Sequence, residues 1–406
     1  MRVVAATHPI PAGTSSILQA VRRTYRYRLY PTGNQVRALE AQLGERCDLY
    51  NAALEHRRTM WRDHGVSVTF NQQSAELKEM RAEGLLDSTA NFWSQQSVLK
   101  RLEAAFQAFF RRCKAGEAPG YPRFRARRRF DTLDFSFAGN AGGIALTDAG
   151  RLRIQGVGHI KVKMHRPIPA GARLCEARVT RRGNRWYVAI SLNGVPARPL
   201  PATGRVVGVD LGITVFAATS DGELIPGPRS NRAGAAAVRR AARKVSRRKR
   251  GSNRRRKAGV LLARQREREA NRRRDHAHKT ARSLVNRFDL VAVEGLNHLG
   301  LAKGMLARDC NDQGWAGFIG HVRDKAEEAG RAVILVDPRG TSQECSSCGI
   351  VVRKALGVRV HSCACGYIAD RDVNAARNIL ARALQTPGPD GAVRRQRWGE
   401  QARAVA

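Results

Sequence analysis

The spacing of hydrophobic residues divides the first half of the chain into a strand, a group of helices and a β region. Residues 25–30 alternate with period two, which is typical of a strand. Apolar residues recur every three or four positions at 36–54 and again at 99–113, so residues 32–115 are predicted to form a small bundle of amphipathic helices with basic surfaces. Residues 130–193 contain short alternating segments separated by glycine, asparagine and aspartate. They are predicted to form antiparallel β-structure, either a sheet or a barrel.

The second half of the chain has the continuously apolar runs of an α/β region. Residues 206–210, 290–294 and 332–336 are such runs and predict buried strands. A hairpin is predicted at 215–225, and two long basic helices follow it with a break at 251–253. The chain therefore combines helical, β and α/β regions, which predicts a multidomain α+β protein.

The net charge narrows the choice of partner. The chain has 406 residues, and 73 lysines and arginines against 34 acids give a formal net charge of +39. Self-repulsion at this charge destabilises a compact state unless a polyanion neutralises it. We expect that polyanion to be nucleic acid and not a membrane, because no apolar run approaches the roughly 20 residues of a spanning helix.

Cysteine usage predicts one metal site and a reducing compartment. Four of the eight cysteines lie in one segment, and the others are isolated at Cys47, Cys113, Cys175 and Cys310. This pattern favours buried thiols over a disulfide framework. Because the N-terminal apolar stretch is also too short for a secretory signal, we expect a cytoplasmic, nucleoid-associated protein.

Three acids far apart in sequence are candidate catalytic residues. Two predicted strands end on acids, Asp210 and Glu294, and a third acid, Asp372, lies at the start of a predicted helix. A buried, unpaired carboxylate is costly, and a pair of magnesium ions would solve that problem and supply phosphodiester chemistry. Taken alone, each acid is as easily structural; for Asp372 the alternative role is a helix N-cap. Together they match an RNase H-like nuclease core.

The clustered cysteines predict a zinc site. Fourteen residues separate the pair Cys345 and Cys348 from the pair Cys363 and Cys365, a spacing that suits a tetrahedral site. The second pair is C-x-C, so His361 is kept as an alternative ligand.

Two basic stretches are candidate nucleic-acid contacts. Arginines alternate with aromatic residues in the loop 116–129, a composition suited to stacking on bases, although a solvated basic loop is an equal alternative. The helices on either side of the 251–253 break carry too few acids to pair their many arginines. The candidates are Arg123, Arg125, Arg247, Arg248, Arg254 and Arg255.

Taken as a set, these features resemble the TnpB family of transposon-encoded, RNA-guided DNA nucleases, which are relatives of the type V CRISPR effectors. The resemblance spans roughly residues 24–384. The segments that carry it are YRLYP at 27–31, FQAFFRR at 106–112, PGYPRF at 119–124, GVDLGI at 208–213, VEGLN at 293–297, VDPRGTSQ at 336–343 and DRDVNAARN at 370–378. The C-x-C pair and an N-terminal extension depart from the family pattern.

The resemblance implies the remaining assignments. It makes Asp210, Glu294 and Asp372 the magnesium-binding catalytic acids of a split RuvC nuclease, with a guide RNA from the transposon end and double-stranded target DNA as partners. It also implies a short target-adjacent motif, for which Tyr50, Gln95 and Gln96 are candidate contacts, although ordinary helix packing or solvation is the favoured explanation for each of them. We expect a monomer on its RNA.

The implied domains follow the chain in order. They are a flexible extension (1–22), the first strand of a wedge β-barrel (23–31), a helical recognition lobe (32–128), the wedge barrel (129–200), a first nuclease part with the basic helices (201–339), a zinc-binding module (340–368), a second nuclease part (369–385) and a flexible tail (386–406).

Two other functions use the same features. A guided DNA-binding protein without cleavage would normally have lost an acid, and all three acids are present. A DNA-strand-transfer transposase would use the same core without a guide RNA.

Overall fold

The computed structural model describes residues 20–87, 90–138, 142–228, 231–296, 314–355 and 357–385. The chain divides into two compact units, Met1–Pro196 and Ala197–Ala406. Cys310, most of the predicted extension and the predicted tail lie outside the described residues. Within the described part, no helix is long and apolar enough to cross a membrane.

The first unit contains helices beside a seven-stranded antiparallel sheet. Its helices are α1 (Gly33–His64), α2 (Phe70–Ala82) and α3 (Phe92–Lys114). The sheet order is β2-β6-β7-β1-β5-β4-β3. Its strands are β1 (Ala20–Tyr30), β2 (Thr132–Ser136), β3 (Ile144–Leu146), β4 (Arg151–Ile154), β5 (Gly158–Lys163), β6 (Arg173–Arg182) and β7 (Arg185–Pro196).

Local sequence explains where these elements begin and end. Thr32 caps α1, since its hydroxyl accepts the backbone N–H of Gln35, and Gly65 ends the helix at a φ of 67°. Strand β1 begins earlier than predicted, because Ala20 and Val21 pair with β7. The predicted extension, residues 1–22, is therefore too long by at least three residues.

The second unit is built on a mixed five-stranded sheet of order β10-β9-β8-β11-β12. Strands β8, β11 and β12 are parallel, and β9 runs antiparallel to both β8 and β10. The strands are β8 (Val206–Asp210), β9 (Ala217–Thr219), β10 (Leu224–Ile225), β11 (Leu290–Glu294) and β12 (Ala332–Val336). All five lie where the apolar runs and the hairpin were predicted.

Helices cover this sheet, and a small hairpin precedes the last of them. The basic helices α4 (Asn231–Ser246) and α5 (Asn253–Arg287) are separated near Gly251 as predicted. Buried residues of α5 and of α6 (Trp315–Ala329) form one core with β8 and β11. The remaining elements are β13 (Val360–Ser362), β14 (Ile368–Asp370) and α7 (Arg371–Gln385). These observations confirm the α+β class.

Candidate metal centres

The first two candidate acids lie side by side at one edge of the second unit's sheet. Strands β8 and β11 are parallel, and Val209 is opposite Val293 in their register. The next residue in each strand is an acid, Asp210 or Glu294. Because neighbouring strands are about 4.8 Å apart, the two carboxylates share the carboxyl edge of the sheet.

Helix α7 brings the third acid to the same edge because a glycine allows it to pack directly on β8. A Cβ atom built on Gly208 would lie 2.0 Å from the carbonyl oxygen of Ala376, so no larger residue fits without moving the helix. A Cβ built on Gly212 would lie 3.6 Å from Oδ2 of Asp372. The Asp372 carboxylate therefore lies over the segment that directly follows β8.

The two neighbouring acids at the start of α7 have different roles in the structure. Oδ1 of Asp370 accepts the backbone N–H groups of Asp372 at 2.8 Å and Val373 at 3.3 Å, which is the geometry of a helix N-cap. The sequence left open that Asp372 is the N-cap of this helix, and the structure shows that Asp370 is the N-cap instead. The Asp372 side chain is partly buried and lies near Asp210.

Burial makes the three carboxylates hard to ionise, and repulsion by the other two acids adds to this effect at Asp210. Burial raises the pKa of Asp210 well above its ordinary value, and the charges of Glu294 and Asp372 add to the effect. Burial also raises the pKa of Glu294, against the opposing effects of a hydrogen bond from Thr341 and the charge of Arg382. A divalent cation fits this site, since its charge offsets the repulsion and carboxylate oxygens are the ligands that magnesium prefers.

Asp372 is the only acid of the three with an ion pair in the described part of the chain. Burial and the charge of Asp370 raise its pKa, while Arg359 and Arg371 lower it. Nη1 of Arg359 lies 3.7 Å from Oδ2 of Asp372. The arginine is half exposed, so a cation bound to the carboxylate could displace it at little cost.

Thr341 is a site residue that the sequence did not single out. Its buried hydroxyl donates a hydrogen bond to Oε1 of Glu294. The carbonyl of Thr341 in turn accepts the side-chain amide of Asn378 in α7 at 2.8 Å. One loop thus orients Glu294 and is fastened to the helix that carries Asp372.

The four clustered cysteines form the second candidate centre. All four sulfur atoms lie within 4.8 Å of one another, with Cys345 and Cys365 3.8 Å apart and Cys348 and Cys363 3.5 Å apart. These separations are too long for disulfides, and the seven described cysteines are all free. Tetrahedral zinc with bonds of about 2.3 Å puts its sulfur ligands roughly 3.8 Å apart, so the set fits zinc.

His361 lies beside these sulfur atoms. Its side chain is fully buried, and its Nδ1 contacts Nζ of Lys354. Burial raises the pKa of the Cys345 thiol, but backbone N–H groups of Cys348 and Ser347 and the imidazole of His361 lower it to about 6. Because the cysteines supply four ligands, the imidazole is placed to support a thiolate without joining the tetrahedral set.

Two asparagines of α7 tie the cysteine segment to the helix that carries Asp372. The backbone N–H of Ser346 donates to Oδ1 of Asn374 at 2.9 Å. The amides of Asn374 and Asn378 both donate to the carbonyl of Glu344 at 2.7 Å. Both asparagines are buried, so these contacts connect the two candidate centres inside the second unit.

The predicted nucleic-acid contacts fall into two groups. Tyr50 and Gln95 are buried, and Nε2 of Gln95 donates to Glu45 at 2.6 Å, while the amide of Gln96 donates to Ser74 at 2.8 Å. Their packing within the first unit leaves direct base contact a prediction. Among the candidate arginines, Arg255 is partly buried. The others are exposed, namely Arg123, Arg125, Arg247, Arg248 and Arg254.

Comparison of the chain with known proteins identifies the class of protein to which it belongs. Three family models match: "Helix-turn-helix domain" at residues 21–65, "Probable transposase" at 161–304 and "Cas12f1-like, TNB domain" at 315–379. A Streptomyces pristinaespiralis protein named "Putative RNA-guided DNA endonuclease" is 34% identical over 391 residues, or 94% of each chain. The Escherichia coli K12 protein "Putative RNA-guided DNA endonuclease InsQ" is 26% identical, covering 88% of this chain and 92% of its own.

These matches cover both units and both candidate centres. The chain belongs to the TnpB family. Among solved structures, a Cas12f1–guide RNA–target DNA complex aligns over 89% of this chain and 98% of its own, with 13% identity and a TM-score of 0.49.

Proposed function

We propose that this protein is an RNA-guided, magnesium-dependent DNA endonuclease encoded by an insertion-sequence transposon, which cuts DNA beside a short adjacent motif. The observation that carries the proposal is the convergence of Asp210, Glu294 and Asp372 on one sheet edge, where each carboxylate has a raised pKa. The relative that is 34% identical over nearly the whole chain supports the same activity.

The three acids would hold two magnesium ions in a RuvC-like core. Ions bound there would activate a water and stabilise the leaving oxygen of the phosphodiester. The chain's own contribution is to fix the ligands: Thr341 orients Glu294, and Asp370 caps α7 so that Asp372 is free for the ion. Gly208 keeps α7 close enough to β8 for Asp372 to meet Asp210.

One structural zinc ion on Cys345, Cys348, Cys363 and Cys365 would stabilise the module at 340–368. This module has little core of its own, and its hydrogen bonds to Asn374 and Asn378 anchor it on α7. Zinc would therefore stabilise the position of Asp372 as well as the module. We assign the module to target nucleic-acid binding.

The positive charge would neutralise the guide RNA and the double-stranded target. Base pairing then reads the target sequence, while the protein contacts the shape and backbone of the heteroduplex. The exposed arginines of α4, α5 and the loop 116–129 suit that role. We assign residues 32–128 to a recognition lobe, and residues 23–31 and 129–200 to a wedge barrel. The nuclease parts are 201–339 and 369–385, and the protein acts as a monomer on its RNA.

Purification followed by RNA sequencing tests the proposal directly. A discrete RNA should copurify, and the complex should cut a matched plasmid in magnesium. Asp210→Ala should abolish cutting and leave RNA binding intact. The matched control is Asp221→Ala, an acid in the same unit that pairs with Arg205 at 2.9 Å, and it should cut normally.

The same experiment separates the other two functions. RNA-dependent plasmid binding without cutting would indicate a guided binding protein. Joining of DNA ends without a copurifying RNA would indicate a strand-transfer transposase. Robust cutting by Asp210→Ala would refute the assignment of the acids.

A further inference from the structure

The first unit contains a cavity lined largely by apolar and aromatic side chains. It has a volume of about 420 Å³ and lies among α1, the loop between α1 and α2, α3 and the loop that follows α3. Five of its eleven lining residues are aromatic: Trp61, Phe106, Phe109, Phe110 and Tyr121. The Tyr121 ring meets those of Phe106 and Phe109 edge-on, with centroids 5.6 and 5.3 Å apart.

The rim of this cavity is exposed. Relative exposures are 65% for Trp61, 56% for Phe110 and 44% for Tyr121. These three large aromatic residues line one cavity, and exposed apolar surface gathered in this way is typical of a binding site. Flat rings of this kind bind other flat, apolar groups by stacking.

A buried arginine adds a polar group to the wall. Arg57 is only 8% exposed, and its Nε donates to Gln73 and its Nη1 to Glu103, both at 2.8 Å. Its Nη2 is buried and has no hydrogen-bond partner within the described residues. Because Nη2 is shielded from solvent, Arg57 holds the cavity wall together through its bonds to Gln73 and Glu103, and the aromatic rings remain the surface that a ligand would contact.

The charge around the cavity shows which kind of ligand fits. Phe109, Phe110 and Tyr121 lie within or beside the segment 111–129, which contains eight arginines and lysines and a single acid, Glu117. A flat apolar group attached to a polyanion fits these surroundings better than an uncharged or basic peptide does. Nucleobases have flat faces and edge acceptors, and they are attached to phosphates.

We propose that this cavity binds one unstacked nucleobase, which stacks on the aromatic wall. The inference rests on the proposed function only in requiring that the protein binds nucleic acid. The base belongs either to RNA or to the displaced or single-stranded part of the DNA, and the two are separated by experiment.

The test uses 12-nucleotide single-stranded RNA and DNA, each in a base-bearing and a fully abasic form, with the full-length protein over one matched series of salt concentrations. Binding is followed by anisotropy and by the part of the tryptophan fluorescence that Trp61→Phe removes. Wild type should bind the base-bearing form of one nucleic acid at least about tenfold more tightly than its abasic form, with quenching of Trp61. Trp61→Ala should remove most of that preference without changing the salt dependence.

Trp315→Phe is the matched control, because Trp315 is buried in the second unit, and it should keep the base preference. An unchanged preference in Trp61→Ala would overturn the proposal, as would protection of Trp61 from acrylamide in the free protein, since another protein segment would then fill the cavity. Failure of wild type to bind any oligonucleotide would instead overturn nucleic-acid binding as a whole.

Discussion

Strand β11 has a buried carboxylate at each end, and the two have opposite surroundings. Asp289, directly before the strand, is 4% exposed and is surrounded by donors. It accepts the backbone N–H groups of Thr203 at 2.9 Å and Gly204 at 2.7 Å, and it pairs with the buried Arg331. Burial raises its pKa, but the hydrogen bonds and Arg331 outweigh burial and lower it overall.

Glu294, at the other end of the strand, is 6% exposed and has one hydrogen-bond donor, Thr341, within the described structure. Its neighbours at the sheet edge are Asp210 and Asp372, which are also negative when ionised. Its pKa is raised.

The two ends of β11 distinguish a structural carboxylate from a ligand. The second unit can satisfy a buried acid completely, as it does for Asp289. At the opposite edge it instead gathers three acids and supplies few donors. Such a cluster of acids lowers the stability of the fold unless a cation from solution binds between the carboxylates and offsets their charge.

The largest expected effect separates two acids that are only two residues apart. Asp372→Asn should lower plasmid cutting by about a thousandfold or more, because it removes a ligand of ions that stabilise the transition state by several kcal/mol. Asp370→Asn should retain most of the activity, since asparagine caps helices as well as aspartate does. The measurement is the single-turnover rate with saturating guide RNA. Equal losses in both variants would contradict the assignment.

The next effect is on the free energy of unfolding. It has opposite signs for Asp289 and Asp210, which lie at opposite ends of the parallel strands. Asp289→Asn should lower the free energy of unfolding by about 3–5 kcal/mol, because it leaves Arg331 buried without its charge partner. Asp210→Asn should raise that free energy in metal-free buffer, because it removes a repelled charge. Thermal unfolding at pH 8 measures both, and a stabilised Asp289→Asn variant would contradict this contrast.

The pH dependence of stability follows from the directions of these pKa shifts. The pKa of Asp289 is lowered by folding, so its contribution is present above the unfolded value of about 4 and is lost as the pH falls through the folded value. The pKa of Asp210 is raised, so its contribution is present at low pH and is lost as the pH rises through the folded value. Asp210→Asn should therefore stabilise the protein at pH 8 and not at pH 4.

The smallest expected effect is on the orientation of Glu294. Thr341→Val removes the hydroxyl that donates a hydrogen bond to the Glu294 carboxylate, an interaction of about 1.5–3 kcal/mol. The variant should therefore slow cutting by roughly ten- to a hundredfold. It should also raise the magnesium concentration needed for half-maximal rate, and Thr341→Ser should restore both. Ser342→Ala is the neighbouring control. Equal rates in Thr341→Val and wild type would show that the hydrogen bond is unimportant.

The sequence predicted that Asp210 and Glu294 lie close together because the pattern that identifies each of them is local. Asp210 and Glu294 each end an apolar run, and parallel strands bring such ends together. The distinction between Asp370 and Asp372 could not be made from sequence with the same security, since both are good N-cap residues. It depends on which side chain folds back over the helix start, and the structure shows that Asp370 does.

Other features had weak or no sequence signals. Helix α2 lies inside the predicted helical region but was not predicted as a separate helix, because its described buried side chains are only Gln73 and Leu77, too few for a hydrophobic period. Nothing in the sequence separates Thr341 from its neighbour Ser342. Gly208 could have been found, since a glycine inside a buried strand often marks close approach of another backbone.

Manganese binding shows whether Asp210, Glu294 and Asp372 form one divalent-metal site. Manganese takes the same oxygen ligands as magnesium, and its paramagnetic resonance signal reports the bound fraction. Wild type should bind two ions at this site, and Asp210→Asn should lose them, while Asp289→Asn, compared at a temperature where it is folded, should keep both. Equal binding by Asp210→Asn and wild type would contradict the account.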